Sequence, residues 1–516
     1  MKTKIFLAAM AAIAIVGCNK EADVVTPSLE GPSAMLKVNI KSSAQTKAYA
    51  AGSEYENAVS SVDFYFYAAD GSAYSVVPGG NSITWDAEEE DAETNIEAVS
   101  DVVLVIKQAE TTPPAKVVAI INSDVDYSNV SLGDLGAKVV DALHTEGTNF
   151  VMSNSVYYNE NLEAVIVASE ITQDNIFVDS EYDGEAGEVY EGDVQVTPID
   201  IYVERVAAKV SVNFGDADLV PVKDADGKQM VDSKGKAVYV DFTGWNVTNA
   251  TDEAYLVKKL STSYDFGWTW NKSADFRSFW ANTTAAPEHK HTFTALESHT
   301  DEFDYYFENT DAVEASQLLV AARLCDKDGK TISLAKWYNV LYTVADAKTA
   351  VANTLANKLY ILKGDKLVSV TADDITFYQR EYTADDNRYE VLVEATEGTT
   401  YYKPALVEDK PVAYTDAELA AIFEAVEPIQ MWEEGMTYYY TTILHNISED
   451  GDTPGIVRNH EYQINVKGVK GFGTPVYDPS QIIIPEPVDP QDALNLAAEI
   501  NVLSWNIVSQ DVVLGN

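Results

Sequence analysis

The chain has 516 residues, of which 46% are hydrophobic, and its formal net charge is −47. This hydrophobic fraction can supply sizeable cores, which argues against global disorder, and the length predicts two or three domains. An acidic surface repels phosphate groups, so nucleic acid is not an expected partner. The two cysteines are Cys18 and Cys325, so burial rather than disulfides must provide the stability.

The first residues have the pattern of an export signal. A short basic start precedes an apolar run from Ile5 to Val16, which is too short for a permanent membrane helix of roughly 20 residues. The tetrad Ile15–Cys18 is typical of a lipobox, so we predict a signal peptide at 1–17 and lipidation of Cys18. An ordinary signal peptide that happens to contain a cysteine is the alternative.

Residues 34–41 alternate between apolar and polar side chains, as a half-buried strand does. The apolar residues that share one face of this segment are Leu36, Val38 and Ile40. We therefore predict that the segment is the first strand of an N-terminal domain.

A polar segment rich in small residues follows at 45–52, as expected for a loop that a protease can reach. We predict processing between Lys47 and Ala48 by a protease with basic specificity. Lys41 is a weaker alternative because it lies at the end of the strand. Cleavage after Lys47 would remove the first strand together with the lipid anchor, as part of a propeptide at 18–47.

Short apolar runs rich in valine, threonine and tyrosine recur along the body of the chain. Their alternation, with Asp-Gly and similar punctuation, is typical of strands joined by hairpins. Examples are the runs at 62–67, 102–106, 117–121, 199–203, 337–342 and 438–444. Helical patterns are strongest at 346–357 and 416–425. We predict a mainly β fold built of β-sandwiches, with few short helices.

A polar stretch at 216–236 indicates a boundary between two sandwiches. We place these domains at 48–220 and 221–474. The chain becomes proline-rich from Thr474 to Pro490, which predicts an extended and semi-rigid segment. Residues 475–516 are therefore predicted to form a linker and a C-terminal strand appendage.

The C-terminal tail has the pattern of one or two strands. Its apolar residues are Ile500, Val502, Leu503, Trp505, Ile507, Val512 and Leu514. A strand pair alone is marginally stable in water, so the tail needs a sheet to join. It could complete its own domain, or it could fill the groove that another copy exposes when it loses its first strand. Such donor-strand exchange runs head to tail and generates a filament.

The order of these features resembles the fimbrillins of Bacteroidia, which are the subunits of type V pili, and in particular the shaft subunit of short fimbriae. The resemblance covers nearly the whole chain. It is carried by the lipobox, the strand before a basic cleavage residue, the Trp505-containing tail, and the segments at 117–122, 150–154, 202–210 and 455–466.

This resemblance implies two transthyretin-like sandwiches, transport to the outer membrane as a lipoprotein, and polymerisation with copies of the same chain after the first strand is removed. It also implies accessory tip and anchor subunits, and adhesion to a host or bacterial receptor. The best-known members are cut after arginine, whereas residues 18–47 contain none. The presence of both a removable strand and a spare one favours a shaft subunit over a tip or an anchor.

The sequence lacks a recognisable catalytic constellation, so we predict no enzyme activity and no cofactor. His289 and His291 have weak metal-binding spacing, and we predict no metal site. Asp179–Gly184 resembles the start of a calcium loop, but its twelfth position is Tyr190 rather than glutamate. We therefore interpret this segment as an exposed acidic loop.

Segment 202–210 carries Arg205 and Lys209 between apolar residues. We predict that both cations point outward from a strand and do not form a catalytic pair. The alternative to a fimbrial subunit is a non-polymerising surface lipoprotein that binds glycan or a host protein, with the tail as its own last strand.

Overall fold

The structure is a computed structural model. It describes residues 33–43, 56, 58–75, 82–84, 96–107, 112–142, 149–154, 157–158, 164–165, 168–178, 199–258, 291–311, 314–380, 389–446, 453–480, 482–483, 496–504 and 506–512. This part of the chain is mainly β with few short helices, which confirms the predicted fold class. Among the described residues, no helix has the length and apolar character needed to cross a membrane.

The chain before residue 206 is built around one ten-stranded sheet. The elements of this part of the chain are β1 (Ser33–Ser43), β2 (Ser61–Tyr67), β3 (Ala73–Tyr74), β4 (Ser82–Thr84), β5 (Ile96–Lys107), β6 (Lys116–Ile121), α1 (Leu132–Leu135), β7 (Val139–Val140), β8 (Met152–Asn154), β9 (Tyr157–Tyr158), β10 (Ala164–Val165), β11 (Ser169–Glu170), a 3-10 turn at Gln173–Asn175, β12 (Ile176–Val178) and β13 (Ile199–Arg205). The strand order is β12-β1-β13-β8-β6-β2-β3, with β11 on β6, β4 on β2 and β5 on β1.

Strands β2 and β6 are buried on both faces because their side chains alternate between two cores. One core contains Val62, Phe64, Phe66, Val117, Ala119, Ile121, Ile199, Ile201 and Val203. The other contains Tyr65, Tyr67, Val118 and Ile120, and α1 covers it through Leu135. The near-continuous apolar runs of these strands reflect this double burial.

A second ten-stranded sheet begins at β14. The elements up to residue 325 are β14 (Ala208–Asn213), β15 (Val220–Lys223), β16 (Tyr239–Thr248), β17 (Ala254–Tyr255), β18 (His291–Thr292), α2 (Phe293–Ser298), β19 (Phe303–Tyr306) and β20 (Gln317–Cys325). The sheet changes between Arg205 and Ala208, and the limit proposed at 220/221 falls within β15. The domain limit at 220/221 itself stays a prediction.

A separate unit is inserted after β20. Its elements are β21 (Leu334–Trp337), β22 (Val340–Thr343), α3 (Val344–Leu355), β23 (Tyr360–Lys363), β24 (Lys366–Ser369), a 3-10 turn at Ala372–Asp374, β25 (Ile375–Gln379), β26 (Val391–Ala395), α4 (Asp416–Glu424), β27 (Gln430–Trp432) and a 3-10 turn at Glu433–Gly435. Residues from α3, α4 and its strands form a hydrophobic core of their own. Both predicted helices are present, and each begins within two residues of the predicted start.

The chain then returns to the second sheet. The remaining elements are β28 (Met436–Thr442), β29 (Leu444–Asn446), β30 (Thr453–Pro454), β31 (His460–Lys470), β32 (Thr474–Pro475), β33 (Ile482–Ile483), β34 (Leu496–Ser504) and β35 (Asn506–Val512). The order is β19-β14-β31-β15-β16-β20-β28-β32, with β34 and β35 added on β31. A core that includes Trp245, Val320, Tyr462 and Ile464 lies between the β14–β31 and β16–β20 layers.

Helix α2 covers the outer face of β16 and β20. A bulge in β16 near Gly244 allows this approach, because a Cβ atom there would lie 2.2 Å from the Leu296 carbonyl oxygen of the helix. Phe293 and Leu296 are fully buried against Leu319 and Ala321 as a result.

The described start of the proline-rich stretch packs on the fold. Pro475 pairs with Thr437 in β32, and Val476 is buried beside the α2 core. The backbone amides of Tyr477 and Asp478 donate to Gln379 Oε1, at 3.2 and 2.9 Å. Strand β33 then pairs with β18. The polypeptide is therefore held on the second sheet and the inserted unit as far as Ile483.

Candidate polymerisation site

The first strand is an interior member of its sheet. Strand β1 pairs along its whole length with β5 in antiparallel orientation. Its opposite edge pairs first with β12 and then, in parallel orientation, with β13. Loss of β1 would therefore leave unpaired backbone groups on the strands at both sides.

The register of β1 places its predicted apolar positions beside buried residues of β13. Val38 pairs with Ile199, and Ile40 pairs with Ile201. Ile199 and Ile201 belong to the first core and are at most 5% exposed. Leu36 pairs with Ile176 of β12. The gap left by β1 would therefore border apolar core as well as strand edges.

The two candidate cleavage residues differ in their surroundings. Lys41 lies inside β1, where it pairs with Val99 on one side and Tyr202 on the other. A protease needs unpaired backbone, so this position is protected. Cys18, Lys47 and Ala48 lie outside the described residues, and β1 ends at Ser43. The structure thus weighs against Lys41 without testing Lys47.

Glu56 is the next described residue, and it is anchored between the two sheets. Its backbone carbonyl accepts a hydrogen bond from Arg205 Nε at 2.8 Å. Its carboxylate accepts hydrogen bonds from Lys209 Nζ at 2.9 Å and from the Tyr305 hydroxyl at 2.6 Å. Glu56, nine positions after Lys47, is therefore fixed to both sheets.

The C-terminal tail pairs with the second sheet of its own chain. Strand β34 runs antiparallel to β31, with Ile500 opposite Ile464, Val502 opposite Tyr462 and Leu503 opposite Glu461. Strand β35 adds to β34, with Ile507 paired to Val502, and includes Val512. Trp505 and Leu514 lie outside the described residues. This arrangement is the one expected if the tail completes its own domain.

One prediction about the segment between the sheets is wrong. Arg205 does not point outward, because its side chain is 1% exposed and its Nη1 donates to Asn459 Oδ1 at 2.9 Å. Strand alternation could not reveal this burial, since the partners are remote in sequence. Glu56, Glu204, Lys258 and Asn459 were missed for the same reason.

The described residues offer no grouping of three or more potential ligands that could hold a metal ion. His291 Nε2 instead lies 2.9 Å from the Val247 carbonyl oxygen. His289, Tyr190 and the acidic segment Asp179–Gly184 lie outside the described residues.

Residues 430–511 match the family described as "Major fimbrial subunit protein type IV, Fimbrillin, C-terminal". No curated protein matches the chain in sequence. Similar solved structures include a fimbrilin from Porphyromonas gingivalis, at 14% identity and a TM-score of 0.35, where 92% of this chain and 98% of that chain are covered. Another is a tip fimbrial protein with a C-terminal truncation from the same species, at 10% identity and a TM-score of 0.30, covering 92% of this chain and 100% of that chain.

A third is a fimbrial assembly protein from Parabacteroides distasonis, at 10% identity and a TM-score of 0.30, covering 72% of this chain and 99% of that chain. Structural similarity this low supports no conclusion about function. The family match is more informative, because its range contains β31 and β34, the strands that pair in the tail arrangement. The resemblance to fimbrillins is therefore confirmed, and it rests on the C-terminal part of the chain.

Proposed function

We propose that this protein is a structural shaft subunit of a surface fimbria, which polymerises by donor-strand exchange and serves adhesion. The observation that carries the proposal is the position of β1. It is paired on both sides and borders the apolar core, yet it precedes a basic residue in a segment suited to proteolysis. A strand in this position can be removed to create a binding groove. The proposed role of the protein is structural rather than enzymatic.

The first step is hydrolysis of the peptide bond between Lys47 and Ala48 by a protease with basic specificity. The propeptide 18–47 leaves with β1 and the lipid on Cys18. Glu56 stays anchored at the junction of the two sheets. The edges of β5, β12 and β13 then offer backbone groups that require a new strand.

The second step is release of the tail from β31 and its insertion into the groove of a neighbouring copy. The last described residue before the tail, Ile483, is buried on the second sheet. The intervening residues 484–495 can span at most roughly 40 Å when extended. That reach limits how far the groove of the neighbouring copy can lie from Ile483.

We also propose a localisation and a set of partners. The precursor reaches the outer membrane as a lipoprotein, and the mature chain becomes part of the fimbria. Its partners are copies of itself, accessory tip and anchor subunits, and a host or bacterial receptor. No cofactor takes part in this assembly.

A deletion of residues 498–516 tests the donor role. We expect folded, secreted monomer and no filaments by negative-stain electron microscopy. A matched deletion of 515–516, which spares β34, β35 and Leu514, should retain filaments. Filaments of normal length from the longer deletion would overturn the proposal.

The pairing of β34 with its own β31 favours one second candidate, a non-polymerising surface lipoprotein that binds glycan or a host protein. In that case the tail is a permanent part of the second sheet. Deletion of 498–516 would then destabilise the monomer, and acylated Cys18 would remain on every surface molecule.

A further inference from the structure

Four buried charges lie where the two sheets meet. They are the side chains of Glu204, Lys258, Glu308 and Arg458, and none is more than 3% exposed. Glu204 belongs to β13 of the first sheet, whereas Glu308 follows β19 and Arg458 precedes β31 of the second. The cluster therefore contains two anions and two cations contributed from both sides of the junction.

Arg458 holds a connecting arm at 251–258, which leaves the second sheet after β16. Its Nε and Nη2 donate to the two carboxylate oxygens of Glu308, at 3.1 and 2.6 Å. Its other contacts are with the carbonyl oxygens of Tyr255 and, at 3.2 Å, Leu256. A planar guanidinium suits this bidentate arrangement, in which one side chain fixes the arm to β31.

The same arm packs against the first sheet, where Leu256 and Val257 join the core that contains Tyr65 and Val118. Strand β17 pairs with β7, and the Ser153 hydroxyl donates to the Leu256 carbonyl oxygen at 2.6 Å. Lys258 Nζ lies 3.0 Å from Glu204 Oε2, with both side chains fully buried. Burial lowers the pKa of Lys258, and the charges of Glu204 and Glu308 oppose that shift.

A second direct link joins β13, which borders the gap that loss of β1 would leave, to β31, which pairs with the C-terminal tail. Arg205 ends β13 and donates to Asn459, which precedes β31. The backbone amide of Asn459 donates to the Ala207 carbonyl oxygen at 2.6 Å. Asn459 adopts a left-handed backbone conformation with φ of 58°, which asparagine tolerates better than most residues.

Two domains in one chain move relative to each other by default unless their interface resists it. Here, a small displacement at the junction would pull Glu204 away from Lys258 while both side chains stay out of water, and a buried charge without its partner is strongly unfavourable. We propose that this buried charge cluster locks the two sheets into a single cooperative unit. The subunit then unfolds in one step, and a fibre built from it bends between subunits rather than within them.

Differential scanning calorimetry of the uncleaved full-length chain tests this inference. The wild type should show one transition whose calorimetric and van 't Hoff enthalpies agree. Arg458→Met leaves Glu308 buried without its cation and removes the grip on the arm, so the transition should split into two. Arg458→Met combined with Glu308→Leu removes both charges, and the split should become smaller than in the single variant.

Lys327→Met is the matched control, because Lys327 and Asp328 form an ion pair with side chains that are 74% and 70% exposed. It should leave one transition at the wild-type temperature. If Arg458→Met does not fold, Arg458→Lys keeps the charge but loses the bidentate contact, and a split is expected there too. Two resolved transitions in the wild type, or a single lowered transition in the folded Arg458 variant, would overturn the inference. Neither result would bear on donor-strand exchange.

Discussion

His445 provides a pH-dependent test of the packing around β31. Its side chain is fully buried, with Nδ1 2.8 Å from the Tyr462 hydroxyl. Burial, with a smaller contribution from Lys258, lowers the pKa of His445 from 6.5 to about 3. The unfolded chain therefore binds a proton below pH 6.5 that the folded chain does not bind until about pH 3, so this residue makes stability fall as the pH falls through that window.

The size of the effect follows from the shift. Well below the unfolded pKa each pH unit costs about 1.4 kcal/mol, but the slope is only about half as steep at pH 6.5. Lowering the pH from about 6.5 to about 4.5 should therefore remove about 2.3 kcal/mol through His445. His445→Gln removes the titration while retaining polar atoms. The free energy of unfolding, measured by urea denaturation at both pH values, should thus fall less on acidification in this variant than in the wild type.

His299 is a control of opposite sign. A hydrogen bond from His299 to Asp304 raises the pKa of the histidine despite its partial burial. Its contribution is present below the unfolded pKa and is lost as the pH rises through the folded pKa. His299→Gln should therefore lose less stability than the wild type when the pH rises above 6.5, and about as much as the wild type when it falls from about 6.5 to about 4.5. Equal acid sensitivity of the wild type and His445→Gln would refute the reasoning about His445.

Three further outcomes can be measured. Gly244→Val should lower the free energy of unfolding by about 3 kcal/mol because its side chain would collide with the backbone of α2, and an unchanged urea midpoint would contradict this packing. Thr415→Ala removes the N-terminal cap of α4 and should cost about 1 kcal/mol, whereas a loss several times larger would mean that the cap does more than end a helix. Lys47→Gln should block maturation on immunoblots while Lys41→Gln leaves it intact, and the reverse pattern would relocate the cleavage site.

Local patterns predicted much of the fold. Short apolar runs anticipated β2, β6 and β13. The run in β13 alternates because burial on a sheet face acts on residues two apart, whereas the runs in β2 and β6 are near-continuous because both faces are buried. The helix at Asp416–Glu424 was predictable because Thr415 and Glu418 form a capping box, a signal contained within four residues.

Features that depend on remote contacts were not predictable in the same way. In the sequence, Arg205 has the pattern of an outward-facing strand residue. In the fold it donates hydrogen bonds to Glu56 and Asn459, which are 149 and 254 positions away. The inserted unit between β20 and β28 contains the same kinds of strands as its surroundings, so composition gave no boundary. Pro475 suggested a free linker, yet a proline at the sheet edge can pair through its carbonyl oxygen, and here it lies in β32.

The C-terminal tail has two candidate partners, its own second sheet and the groove of a neighbouring copy. The apolar pattern of residues 500–514 predicted that the tail joins a sheet. In the single chain, its strand β34 pairs with β31. In a filament, the groove of a neighbour would compete for the same strand. The two arrangements use the same backbone hydrogen-bonding groups, so the tail can adopt only one of them at a time.

Mass spectrometry of the N-terminus of filament-derived protein tests the central claim most directly. Strand exchange requires that each polymerised shaft subunit has lost β1, so we predict that the mature chain begins at Ala48 in SDS-resistant filament material. An intact acylated Cys18 on all molecules in such filaments would contradict the account, because β1 would then still fill the groove that the donor strand needs.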